Sequence, residues 1–142
     1  MMCLLRVLLL SAIAFPAAAE QFRSFDDVDV HYVVVNTLFL QPDVAARFGL
    51  VRGNDRAIVN LSVLQHDGAA LLGTVTGVTI NLLGQRVPLE FKVTREGEAV
   101  YYIAELRFTD QDVLRFDLTV DLPDRAPMRL EFQQQMYVEP SR

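Results

Sequence analysis

From Val28 onward the chain alternates apolar and polar side chains in one short run after another. Val28, Val30, Tyr32 and Val34 alternate with Asp29, His31 and Val33, and the β-rich stretch continues to Leu40. Period-two patterning of this kind marks a strand with one buried and one wet face. It returns at Val59, Leu61 and Val63, at Val100, Tyr102, Ala104 and Leu106, and at Leu114, Phe116, Leu118 and Val120. A last strand places Met128, Leu130, Phe132, Gln134, Met136 and Val138 on one face. Val87, Leu89, Phe91 and Val93 form the cleanest inward face, and Pro88, lacking an N–H, assigns that strand to a sheet edge. The stretch from Leu71 to Leu83 is rich in Thr, Val and Gly, and its Gly73 and Gly77 point to bulges or close backbone approach.

The connections are short polar turns: Arg52 to Arg56, His66-Asp67-Gly68, Gly84-Gln85-Arg86, Arg95 to Glu98, and Pro123 to Pro127. The period changes only once. Pro42 to Gly49 reads as a short helix near residues 42–48, with proline at its first position, Asp43 at the positive end of the dipole and Gly49 at its left-handed stop. About seven strands, one helix and no helix–strand alternation predict an all-β fold: a single antiparallel β-sandwich, immunoglobulin-like in architecture. A closed barrel is the alternative. The Cys–Trp–Cys pattern of antibody domains is missing, so only the architecture is expected.

The first nineteen residues follow a different rule. Arg6 precedes a largely apolar run from Val7 to Phe15, interrupted by Ser11, Pro16 ends it, and Ala17-Ala18-Ala19 supplies the small residues of a cleavage site. This is the layout of a cleavable signal peptide. A membrane anchor needs ~20 apolar residues, more than this run provides. Cys3 lies before the apolar run, so a lipoprotein is excluded. The expected domains are therefore residues 1–19, removed on export, and residues 20–142, one β-sandwich in the periplasm.

Cleavage changes what chemistry is available. Losing nineteen of 142 residues leaves 123, one domain that buries its own core. Cys3, the one cysteine, goes with the signal, which leaves neither a disulfide nor a thiolate metal site. The signal carries one base and no acid, so the net charge moves from −5 to −6. An acidic chain without a basic run argues against nucleic acid and against an anionic membrane surface.

Catalytic constellations are also weak. The serines left after cleavage are Ser24, Ser62 and Ser141, and none sits in a nucleophile elbow. His31 and His66, with Met128 and Met136, raise a copper-handling role, but both methionines sit at core parity and no His-x-His or Met-x-x-Met cluster occurs. The acids at Asp26, Asp27, Asp29, Asp110, Asp112, Asp117 and Asp121 fall on solvent-facing positions or in turns, and there is no tryptophan to stack a sugar. Asn60-Leu61-Ser62 is formally a glycosylation sequon inside a strand. No catalytic residue, cofactor or metal ligand is assigned. Candidate ligand contacts are Asn36, Arg52, Arg56 and Asn60, which flank the helix and the turn after it, because arginine forks grip carboxylates or phosphates bidentately. Arg56 is expected to clip the helical excursion by donating to loop carbonyls, leaving Arg52 as the freer ligand contact.

The segment from Asn36 to Leu64 resembles a domain-of-unknown-function family, number 4426, of small exported proteins from Gram-negative bacteria. The resemblance is carried by Asn36, Phe39-Leu40, Pro42, Val44-Ala45, Gly49, Arg52, Arg56-Ala57 and Asn60, then by Asn81 to Gln85 and Glu98 to Ala104. It implies an exported all-β domain and no activity. The sequence thus favours a non-catalytic binding or protein-interaction module with a protein or small-molecule partner in the cell envelope; an enzyme of unrecognised type or a copper-handling accessory protein is the alternative. Protein recovered from the producing cell's envelope is expected to have the intact mass of a chain starting at Glu20. A full-length, membrane-retained product would refute the cleavage.

Overall fold

Strand formation follows the alternation closely, and nine strands result. A computed structural model describes residues 21–140; the expected signal segment and cleavage site lie outside the described residues. In chain order the strands are β1 (Gln21–Phe25), β2 (Val28–Asn36), β3 (Arg56–Gln65), β4 (Thr74–Ile80), β5 (Arg86–Leu89), β6 (Lys92–Glu96), β7 (Ala99–Arg107), β8 (Val113–Asp121) and β9 (Met128–Gln135). A 3-10 turn, Thr37–Phe39, and the helix α1, Pro42–Arg47, interrupt them between β2 and β3. Two antiparallel sheets form, ordered β1-β2-β3-β7-β6 and β5-β4-β8-β9. The fold is thus an all-β sandwich, with α1 placed where the change of period put it.

The count exceeds seven for two physical reasons. β1 pairs with β2 at an edge and leaves four of its five residues exposed, so it shows no buried face to read. The run from Val87 to Val93 is two strands: β5 pairs with β4 in one sheet and β6 with β7 in the other. The chain turns the corner between sheets at Glu90-Phe91. Val87 and Val93 are consequently exposed, and of that face only Leu89 reaches the core. Pro88 does lie on an edge strand, as its missing N–H requires.

The core sits between the sheets. Val30 faces Val63 and Leu61 faces Tyr102 across neighbouring strands, and all four are essentially inaccessible. Phe116, Leu118 and Leu130 meet them from the four-stranded sheet. Tyr32 stacks on Phe132 with centroids 4.4 Å apart, and Phe132 on Phe116 at 4.7 Å, so one aromatic column spans both layers. The Tyr102 hydroxyl donates to the Leu71 carbonyl and accepts the Gly73 N–H, each at 2.9 Å, where the chain passes between the sheets. A Cβ on Gly73 would lie 2.8 Å from Leu122 Cδ2, so this close approach needs glycine.

Antiparallel connectivity sorts the turns to two ends. One end gathers the β1–β2 turn at Asp26-Asp27, the β3–β4 turn at His66 to Gly68 and the β6–β7 turn at Gly97, with Arg125 paired to Asp27. The other gathers the excursion from Thr37 to Asp55, the β4–β5 turn and the β7–β8 connection. At this second end the β4–β5 turn holds Leu82 and Leu83 in solvent, 81% and 84% exposed. Asn81 fixes it: Oδ1 accepts the N–H of Leu83 and of Gln85, and Nδ2 donates to Gln85 Oε1.

Replacing Leu61 by Asp would desolvate a charge in this core and is expected to abolish cooperative folding. Ser62→Asp, one residue along on the opposite face, should leave a folded protein with a modestly lower melting temperature. Circular dichroism melts of the two variants check this, and equal damage would mean that both faces of β3 are sealed.

Candidate functional site

The excursion between β2 and β3 is held by side chains that flank it. Asn36 caps the 3-10 turn, its Oδ1 accepting the Leu38 N–H at 3.0 Å while Nδ2 donates to the Asn54 carbonyl at 3.2 Å. Thr37 is buried beside it. Its hydroxyl accepts the Gly53 N–H at 3.0 Å and lies 3.1 and 3.2 Å from the carbonyls of Gly53 and Arg56, one of which takes its proton at a time. Both ends of the loop are thereby tied to one oxygen. Arg52 Nη2 donates to the Leu38 carbonyl at 3.2 Å. The loop then crosses the outer face of the five-stranded sheet. There Arg47 pairs with Glu96 at 2.8 Å and the Val51 N–H donates to Glu105 Oε1 at 3.3 Å. Ile58 and Ile103 point outward from their strands yet are buried on this half of the face.

Arg56 differs from its neighbours. It starts β3, with its stem packed beside Gly53, and its guanidinium makes no hydrogen bond among the described residues. The carbonyls it was expected to clip are served by Thr37, Asn36 and Arg52 instead. Arg56 lines a cleft of about 380 Å³ at this end of the sandwich, with Val51, Ala57, Val87, Leu89 and Leu106 as its apolar wall. Arg107 and Glu105 complete the rim. Arg107 is engaged already, at 2.9 Å from Asp55. That hydrogen bond holds the Asp55 carboxyl below its ordinary range, helped by the charge of Arg56. Arg56 is therefore the cation at the cleft that has no hydrogen-bond partner among the described residues.

Asn60 lies elsewhere. It faces outward from β3, opposite Val33 and Ile103, and lines a second cleft of about 420 Å³ on the uncovered half of the same outer face. His31, Ser62 and Tyr101 share that cleft, and His31 stacks on Phe22 of the edge strand at 5.2 Å. The Asn60 Oδ1 is buried without a hydrogen-bond partner among the described residues. Of the four candidate residues, then, Asn36 and Arg52 hold the loop, Arg56 faces the end cleft and Asn60 the outer one. Thr37 escapes sequence reading because a lone threonine after a strand carries no distinctive signal. The cleft walls at Val87, Leu89 and Leu106 escape it because their strands meet only in the fold.

Several other charged groups form pairs at the surface. Asp27 is held down by Arg125 and Asp117 by Arg129, whose Nη2 lies 2.9 Å from it. His66 Nε2 is 3.3 Å from Asp29. Met128 and Met136 are both buried, at core parity. Among the described residues no three of His, Cys, Asp and Glu converge, and no helix is long and apolar enough to cross a membrane.

Comparison with known proteins agrees with this architecture. Residues 22–139 match the profile of DUF4426, a domain of unknown function. A DUF4426 family protein from Pseudomonas aeruginosa PAO1, known as a crystal structure, is 32% identical with a TM-score of 0.77, over 85% of this chain and 97% of that one. FetP of uropathogenic Escherichia coli strain F11, recombinantly expressed in the periplasm of another E. coli strain, has a TM-score of 0.62 at 9% identity, over 85% and 95% of the two chains. A copper-bound variant of FetP gives 0.61 at 9% identity, over 87% and 93%. At that identity the likeness is one of fold. No curated protein is significantly similar to the chain.

Thr37→Val keeps the shape and removes the hydroxyl, leaving the Gly53 N–H without its acceptor. A loss of about 1–3 kcal/mol is expected, seen as a melting temperature lower by several degrees. Thr37→Ser should keep most of the native stability. A Thr37→Val protein that melts with the native one would show that the loop does not depend on this oxygen.

Proposed function

Because the chain belongs to the DUF4426 family, whose function is unknown, we propose a role from its own geometry: a non-catalytic binding module, exported to the periplasm, that holds a ligand in the cleft at the Arg56 end. The observation that carries this reading is a guanidinium without a hydrogen-bond partner among the described residues, set against an apolar wall. Arg107, the other arginine at the cleft, is matched by Asp55, just as Arg47 is by Glu96, Arg125 by Asp27 and Arg129 by Asp117. A cleft of this volume falls in the usual range for small ligands, about 300–1,000 Å³, and couples apolar lining to a few placed polar groups.

Binding is favoured over catalysis by the state of the carboxyls. The carboxyls displaced from their ordinary range are each pulled down by a partner arginine, the mark of an ion pair rather than of a poised acid or base. Copper handling draws on the fold shared with FetP, a likeness of shape at 9% identity. The two methionines that raised it fill the core. Export rests on the sequence of residues 1–19.

The test is recovery of the native protein from envelope extracts, with native mass spectrometry and a thermal melt before and after exhaustive dialysis. A bound small molecule and a melting temperature that falls on its removal are expected; saturation at a hundred times Kd adds about 2.7 kcal/mol to stability. Val87→Trp, which fills the cleft from an exposed edge position, should recover without the ligand. A native protein that carries nothing, and melts like Val87→Trp throughout, would remove the cleft from consideration.

A further inference from the structure

The ligand class can be read from the same cleft, and this step rests on the binding role just proposed. We propose that the end cleft takes a small amphiphilic anion: an alkyl chain ending in a single carboxylate, the chain on the apolar wall and the carboxylate on Arg56. The apolar part comes first. Val51, from the excursion, and Val87, from edge strand β5, both line the cleft, and both are more than half exposed. Leu89 and Leu106 form the floor between the two sheets. An unbranched alkyl chain in the cleft would cover apolar surface of these valines and leucines.

The anionic part follows from charge. Arg56 is fixed at the first position of β3, opposite Arg107, so two guanidinium-bearing residues stand side by side at the start of the strand pair. Asp55 satisfies Arg107 at 2.9 Å, and Glu105, the other acid at the rim, is drawn to the loop by the Val51 N–H. Arg56 is left with its planar fork unengaged by any hydrogen bond among the described residues. A carboxylate matches that fork with two parallel hydrogen bonds. An ammonium head would meet repulsion from Arg56, and a purely apolar ligand would cover the guanidinium without pairing it.

The two halves lie close together because the Thr37 hydroxyl holds the Arg56 carbonyl within the loop. The guanidinium is thus presented by anchored backbone, which reduces the ordering cost of binding. The exposed Leu82-Leu83 turn sits at the same end of the sandwich.

The probes are straight-chain carboxylates from hexanoate to dodecanoate, used below their micellar concentrations, with alkyltrimethylammonium ions of the same lengths as controls. Isothermal titration on the mature protein should show affinity rising about fourfold per methylene and levelling off once the cleft is full. The ammonium series should bind at least tenfold more weakly. Arg56→Met keeps an apolar stem and should lower carboxylate affinity about tenfold or more while leaving the dependence on chain length unchanged. Arg56→Lys should fall between, and Val87→Trp should abolish binding.

Equal affinity for carboxylates and ammonium ions, or an Arg56→Met variant that binds carboxylates like the native protein, would overturn the anion assignment and leave the cleft as a binding site. Binding of no alkyl carboxylate up to millimolar concentration would also overturn it. If a peptide with an apolar C-terminal residue and a free carboxylate bound the native protein more tightly than every alkyl carboxylate, the occupant would be a protein terminus and the proposal would fall. Carboxylate binding unaffected by Val87→Trp would place the site elsewhere and sink both readings.

Discussion

The Tyr102 phenol stands where the chain first leaves one sheet for the other, and the two-layer arrangement is organised around it. Its ring fills the core from the middle of β7, and its hydroxyl meets a carbonyl and an N–H on the strand of backbone entering β4. A crossing segment has no ladder of its own, so its backbone groups need partners from elsewhere. One oxygen supplies both. Gly73 lets the backbone come close enough, and the turn from β3 can then deliver β4 against β8 in register, Val75 on Val120 and Gly77 on Leu118. The stack of Tyr32, Phe132 and Phe116 reinforces the same contact between layers.

Surface charge contributes much less to cohesion than its abundance suggests. The ion pairs lie in solvent, where water and salt screen them. They do sort the surface. Asp55 pairs with Arg107, which leaves the Arg56 guanidinium at the cleft without a hydrogen-bond partner among the described residues, and Asp27 pairs with Arg125 at the opposite end.

Much of the fold is legible in the alternation of side chains, because a half-buried strand has to alternate whatever its partners are. Val59, Leu61 and Val63 could be assigned to the core from their spacing alone, and Pro42 and Gly49 bracket the helix through their backbone preferences. The corner at Glu90-Phe91 could not be seen. Parity runs unbroken from Leu89 to Val93, since a bend between sheets preserves the count while changing what each face meets. β1 was equally silent: an edge strand over which only one neighbour runs buries too little to leave a pattern. The arginine cluster was visible as a group, but the division of labour within it was not. That division turns on the Thr37 hydroxyl, which makes the carbonyl contacts that a guanidinium would otherwise make, and threonine is common enough in strands to pass unnoticed. The clefts combine residues from three or more segments, a juxtaposition that no local spacing encodes.

The pairing of β3 with β7 has a consequence for the order in which the molecule is assembled. These central strands are joined in register from Arg56 with Arg107 to Leu61 with Tyr102, across forty to fifty intervening residues. Until β7 has been synthesised, the first three strands can form only a meander, with one edge of β3 unpaired and its inner face uncovered. Sheets built from such distant segments close slowly, because chain entropy has to be overcome before any contact rewards it. A chain emerging from its amino terminus therefore stays unfolded until most of its length is available, and then gains β7, β8 and β9 almost together. That timing suits any route that must thread the polypeptide before it folds.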